Sequence, residues 1–177
     1  MKRSRIAALA AAVALPAILG TLSSVAADGD GGRQSLKARL KGFEEVPAIS
    51  SIGTGELRLK IVDEEAIEFE LTYRDLEGAT TSAAHIHLGQ KDVNGGVSVF
   101  FCGGARPPCT PDSGTFTGTI TAADVLGPAA QGIAAAEFGE LLRALRAGKT
   151  YVNVHTDKHP GGEIRGQIKA HGEDDED

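Results

Sequence analysis

The sequence predicts an all-β domain: an antiparallel β-sandwich or Greek-key barrel of about seven to eight strands with one helical crossover. Three observations carry this expectation. Apolar residues recur at every second position along most of the chain, the period of a strand with one buried face. Short breaks rich in Gly, Asp and Ser separate these stretches, which is turn chemistry. One segment alone changes to three- and four-residue spacing, the period of a helix.

Taken in order, Leu36, Ala38 and Leu40 mark the first strand and Leu57, Leu59 and Ile61 the second. Ile67, Phe69, Leu71 and Tyr73 mark the third, and the break from Asp63 to Glu65 makes the second and third a hairpin. After DLEGAT, Thr81 to Leu88 forms a fourth strand, Val97 to Phe101 a fifth, and the threonine-rich run Gly114 to Thr121 a sixth. A short helical turn is expected over Thr121 to Leu126, with Thr121 as its cap. Ala134 to Ala147 places Phe138, Leu141, Leu142 and Leu145 on one helical face, and Gly148 stops the helix. Thr150 to Thr156 and Glu163 to Lys169 supply a final hairpin.

The ends differ from the middle. Residues 1–27 have a basic start (Lys2, Arg3, Arg5), an apolar run from Ile6 to Leu19 and small residues at Ser23, Ser24, Ala26 and Ala27, the layout of a secretory signal peptide. The apolar run is shorter than the ~20 residues of a membrane span, so no span is expected after cleavage. Residues 28–35 read as a flexible segment and 170–177 as an acidic tail, leaving one domain over 36–169. DGDGGRQ looks like the start of a calcium loop, but Arg39 stands where the twelfth-position Glu belongs. Without Lys2, Arg3 and Arg5, the 18 basic residues fall to 15 against 24 acidic ones, a formal charge of −9. That balance argues against nucleic acid or anionic lipid as partner. Neither Asn94 nor Asn153 begins a glycosylation acceptor site. Secretion or a periplasmic location is the expectation.

Cys102 and Cys109 bracket the Gly/Pro-rich stretch CGGARPPC. In an oxidising compartment a disulfide is expected, contributing roughly 2–3 kcal/mol for so small a loop. The other reading, a Cys/His metal site, lacks a CxxC pair.

Four of the five histidines fall in TSAAHIHLG and KTYVNVHTDKHPGGEIRGQI. His85 and His87, two apart on a strand, project to one face while Ala84, Ile86 and Leu88 project to the other. On the last hairpin, Tyr151, Asn153 and His155 alternate with Val152 and Val154, and Glu163, Arg165 and Gln167 with Ile164, Gly166 and Ile168. If the fourth strand lies beside this hairpin, His85, His87 and His155 meet, with His159 or Glu163 as a further ligand for copper or zinc. The alternative is a hydrogen-bonded structural cluster, with Asn153, Arg165 and Gln167 part of a binding face for an extracellular protein or matrix component.

Other chemistry finds no support. Gly148-Lys149-Thr150 resembles the end of a phosphate loop, but Arg143 occupies the place of its first glycine. Gly96-Val97-Ser98-Val99-Phe100 lacks the second glycine of a nucleophile elbow. There is no HExxH and no dinucleotide fingerprint after a strand. The residues favour a binding module without catalysis, with a metalloprotein as the alternative.

The assembled motifs resemble the CHRD domain, first recognised as a repeat in chordin. They are Leu36 to Pro47 (LKARLKGFEEVP), AHIHLG at Ala84 to Gly89, Gly95-Gly96-Val97, Ser113-Gly114 with Thr119 to Val125, Leu142 to Gly148, YVNVHT at Tyr151 to Thr156, and GGEIRGQ at Gly161 to Gln167. The resemblance implies an extracellular β-rich domain, which in bacteria occurs alone in exported proteins. In chordin it accompanies other modules of a secreted antagonist of bone morphogenetic proteins. Those cysteine-rich modules are missing from this sequence, so the growth-factor role is not carried over, and the family supplies no catalytic residues to transfer. More locally, the HxH strand is similar to the copper-binding strand of copper/zinc superoxide dismutases, and Arg165 invites comparison with the arginine near their copper. Their His-rich zinc loop is absent from this sequence.

Overall fold

Strand alternation fixes the architecture from the first element. In the computed structural model, which describes residues 34–170, β1 (Gln34–Lys41) buries Leu36, Ala38 and Leu40 and turns Lys37, Arg39 and Lys41 outward. β2 (Thr54–Ile61) and β3 (Ile67–Arg74) form the expected hairpin, in continuous register from Thr54 opposite Arg74 to Ile61 opposite Ile67. Their outer face carries a solvated ladder, with Arg58 reaching Glu56 at 3.0 Å and Glu70 at 3.2 Å, and Lys60 reaching Glu68 at 3.0 Å.

The remaining strands are β4 (Thr81–Leu88), β5 (Val97–Cys102), β6 (Gly114–Ile120), β7 (Thr150–Thr156), β8 (Ile164–Gln167) and β9 (Lys169–Ala170). They join one antiparallel sheet in the order β5-β4-β7-β8-β1-β2-β3-β6, with β9 added to β1. The sheet curls into a nearly closed barrel in which the edge strands β5 and β6 approach one another, and Phe69 of β3, beside the edge, packs on Phe101 of β5 with ring centroids 4.8 Å apart. Cys102 and Cys109 are bridged, as expected. The loop they close carries Arg106, which pairs with Asp124 at 2.7 Å and donates to the Thr119 carbonyl at the end of β6.

The crossover from β6 to β7 contains α1 (Phe138–Arg146), which buries Phe138, Leu141, Leu142 and Leu145. It is shorter than the sequence pattern suggests. Ala136 takes a left-handed conformation, φ 67°, which a helix cannot pass through. The Glu137 side chain accepts from the Ala134 N–H at 2.7 Å, closing a turn ahead of α1. Gly148, φ 63°, ends the helix as expected. Thr121 begins a 3₁₀ turn over Ala122–Asp124, and its N–H and hydroxyl both donate to the Asp124 carboxylate. The last expected strand is split at Ile168, whose N–H donates to Thr150 while its side chain enters the core.

The first strand begins at Gln34, so the end of the 28–35 segment is paired with β2. The signal-peptide expectation for 1–27 and most of both tails lie outside the described residues. Among the described residues no helix is long and apolar enough to cross a membrane.

Candidate metal centre

Cross-strand register assembles the centre. Partners opposite one another in a sheet share a face, so Phe100, His85, Asn153 and Arg165 form one row across β5, β4, β7 and β8. His87, Tyr151 and Gln167 form the next. Ala84, Ile86, Val152 and Val154 point into the core on the other face.

This polar face is itself covered. His85 and His87 are each 7% exposed, Asn153 and Arg165 are buried, and Gln167 is half-buried. The cover is the loop from Gly89 to Gly96, tied down by Arg165, which donates to the Val93 carbonyl at 2.7 Å and to Asn94 Oδ1 at 2.9 Å. Asn94 in turn donates to the Val46 carbonyl at 3.0 Å, joining this loop to the β1–β2 connection. Gln167 donates to the carbonyls of Gly89 and Gly148, each at 3.0 Å.

Within the cover, the rings are fixed from several sides. His87 stacks on Tyr151 almost parallel, 2° between planes and 4.7 Å between centroids. The Arg165 guanidinium lies 3.4 Å from the Tyr151 centroid, a cation–π contact inside the domain. Phe100 meets His85 edge-on at 4.6 Å, and His155 lies 4.6 Å from His85.

The backbone chooses the tautomers. His87 Nδ1 lies 2.9 Å from the Gly95 carbonyl, and His155 Nδ1 lies 2.9 Å from the Pro160 carbonyl. A carbonyl only accepts, so both Nδ1 atoms carry hydrogen and both neutral rings keep a lone pair at Nε2. His85 Nδ1 is 2.9 Å from His87 Nε2 and donates to it. His155 Nε2 is 3.0 Å from Asn153 Oδ1, which also only accepts, so the neutral ring with its hydrogen on Nδ1 requires the Asn153 amide turned to present its NH2 to this nitrogen. One ligand-type nitrogen from each of His85, His87 and His155 lies within 4.8 Å of the others. Gly95 has no room for a side chain, since a Cβ there would fall 1.7 Å from the Leu88 carbonyl oxygen.

Burial holds the rings neutral. It pushes the pKa of His85 down to about 3, with His155 and His87 adding to the effect, and that of His87 down to about 4. His155 is lowered by the same cause. Glu45, buried beside this group with Oε1 3.5 Å from Asn153 Nδ2, is pushed up to about 7 by burial, against the pull of Arg165 and of hydrogen bonds from Val46 and Asn153.

Of the expected ligands, the fold brings together His85, His87 and His155. Glu163 and His159 belong to a separate polar knot. The fully buried Glu163 carboxylate accepts from Ser51 Oγ, the Glu77 N–H and Thr156 Oγ1, each at 2.7 Å. Burial raises its pKa, but these donors outweigh it and hold the group below the ordinary carboxylate range. His159 donates its backbone N–H to Thr156 Oγ1, and its Nε2 is buried without a partner among the described residues. This knot holds the turn that presents Pro160 to His155. Register alone placed Tyr151 on the histidine face, whereas its stacking, the Phe100 contact and the roles of Glu45, Asn94 and the two carbonyls depend on loops whose paths have no periodicity to read. Two surface depressions of about 550 and 570 Å³ lie on the charged outer face of β1–β3, away from the histidines.

Fold and site together define an antiparallel β-domain with a buried histidine face. The chain belongs to the CHRD domain family, whose model matches residues 36–168. No curated protein and no solved structure matches it.

Proposed function

We propose that this chain is an exported CHRD-domain binding module whose ligand is a transition-metal ion, copper or zinc, held by His85, His87 and His155. The observation that carries this reading is the pair of Nδ1–H bonds from His87 to Gly95 and from His155 to Pro160. A metal-bound histidine usually donates its other ring nitrogen to a carbonyl or carboxylate, which fixes the tautomer and directs the lone pair. Here two rings are set in that way with His85 beside them, and imidazole donors suit copper and zinc. The role of Glu163 and His159 in this reading is to secure the Pro160 turn. The disulfide fits a location outside the cytoplasm.

Metal analysis of the mature protein, loaded with copper or zinc and freed of excess, tests the reading. One ion per chain is expected, with retention reduced about tenfold or more in His85→Ala and in His87→Ala. Wild-type protein without stoichiometric metal, or variants that retain it fully, would refute the assignment.

A further inference from the structure

We propose that the three-imidazole site selects the cuprous ion over divalent ions, and that the fixed charge of Arg165 sets part of this preference. The inference rests on reading the cluster as a metal site and concerns which ion it takes.

The ligand set comes first. The described group contains three histidines and neither a carboxylate nor a thiolate. Both cysteines are bridged, and the Glu163 carboxylate is committed to Ser51, Glu77 and Thr156. Three neutral nitrogens leave the full charge on the ion. Zinc on three histidines still needs a fourth ligand such as water to complete its tetrahedron, whereas Cu(I) is complete with three nitrogen donors.

Burial acts in the same direction. His85 and His87 are 7% exposed and walled by Phe100 and Tyr151. The cost of moving an ion out of water grows with the square of its charge, so a divalent ion meets about four times the penalty of a monovalent one.

Arg165 adds a direct term. It is 2% exposed and separated from His87 by the single ring of Tyr151. Its carbonyl and amide partners on the loop are neutral. At the effective dielectric of a protein interior, a fixed cation at this remove weakens binding on the order of tenfold for each added unit of ion charge. Glu45 is the carboxyl that interacts with Arg165, and once ionised it offsets part of this effect. The comparison is therefore made in the Glu45→Gln background as well.

The test uses the mature full chain. Cu(I), kept reduced with ascorbate under anaerobic conditions, is titrated against bicinchoninate, and Zn(II) against a chromophoric chelator. Wild-type protein is expected to bind one Cu(I) about 100-fold or more tighter than Zn(II). Arg165→Met should narrow that gap about tenfold, while Arg165→Lys, which keeps the charge and loses the planar stack, should largely preserve it. Zinc bound as tightly as Cu(I), or more tightly, overturns the selectivity and leaves the metal reading standing. A gap unchanged by Arg165→Met in both backgrounds overturns the part assigned to Arg165. Failure to bind either ion overturns the metal reading and this inference together. Should Arg165→Met fail to fold, Glu45→Gln at pH 8, which removes the carboxylate that offsets the Arg165 charge, is expected to widen the gap, and an unchanged gap overturns the part assigned to Arg165.

Discussion

The two halves of the sheet treat their outer faces differently. In β1, β2 and β3 buried and outward residues alternate, and the outward ones are charged, solvated and paired across strands. In β4, β7 and β8 the second face is largely covered as well, with His155 and Gln167 half-buried at its margin, and it holds imidazoles, a guanidinium, an amide and a phenol ring. The difference lies in the cover. The loop from Gly89 to Gly96 and the β1–β2 connection lie over one half, while the other faces water. A side chain on the covered half has its tautomer and charge state chosen for it. One on the open half chooses its own partner and is replaceable.

The largest expected difference concerns arginine. Arg165→Ala removes the donors to Asn94 and Val93 and the packing on Tyr151, and should destabilise the fold by about 3–5 kcal/mol in urea denaturation. A loss below about 1 kcal/mol would mean that the covered half is no more demanding than the open one.

Next comes pH. Burial pushes His85 and His87 down to about 3 and about 4 in the folded protein, against an ordinary 6.5. Their stabilising contribution is complete above pH 6.5 and is lost as pH falls, because the unfolded chain takes up protons that the fold refuses. Glu45 acts in the opposite sense. Its folded value of about 7 against an ordinary 4.5 makes its contribution full below 4.5 and lost as pH rises through 7. Between pH 4.5 and 6.5 the protons of His85 and His87, joined by the lowered His155, oppose one carboxyl proton, so stability should rise with pH by at least about 1.4 kcal/mol per unit. Denaturation midpoints across that range test this, and Glu45→Gln should steepen the slope. A flat profile would show that the histidines are not desolvated.

The smallest effect belongs to the open half. Arg58→Ala should change stability by no more than about 0.5 kcal/mol, because its pairs with Glu56 and Glu70 are solvent-exposed. A larger loss would give that ladder a structural weight that the comparison denies it.

The same division explains what could be read from the sequence. Period-two alternation locates the strands up to β8, and the Asp63 to Glu65 break identifies a hairpin, because each is written in neighbouring residues. It also puts His85, His87, Asn153, His155 and Arg165 on one polar side. Alternation carries no information on whether a polar side is wet. The cover depends on Arg165 reaching a loop some 70 positions away in sequence. Nor does pattern separate Glu163 from the histidines: it shares the alternation of Arg165, yet its carboxylate turns to Ser51 and Thr156. The helix starts later than its spacing predicts for a local reason, the left-handed backbone at Ala136, since alanine gives no warning of it.

Gly95 gives the centre a constraint of another kind. Its carbonyl sets the His87 tautomer, and its chain passes so close to Leu88 that not even a methyl group fits. A polar side chain on this face can be exchanged for another of similar size. Position 95 has no comparable freedom, because what it supplies is the absence of bulk. The range of sequences able to keep this covered face is narrowed there by steric room before any question of polar chemistry arises.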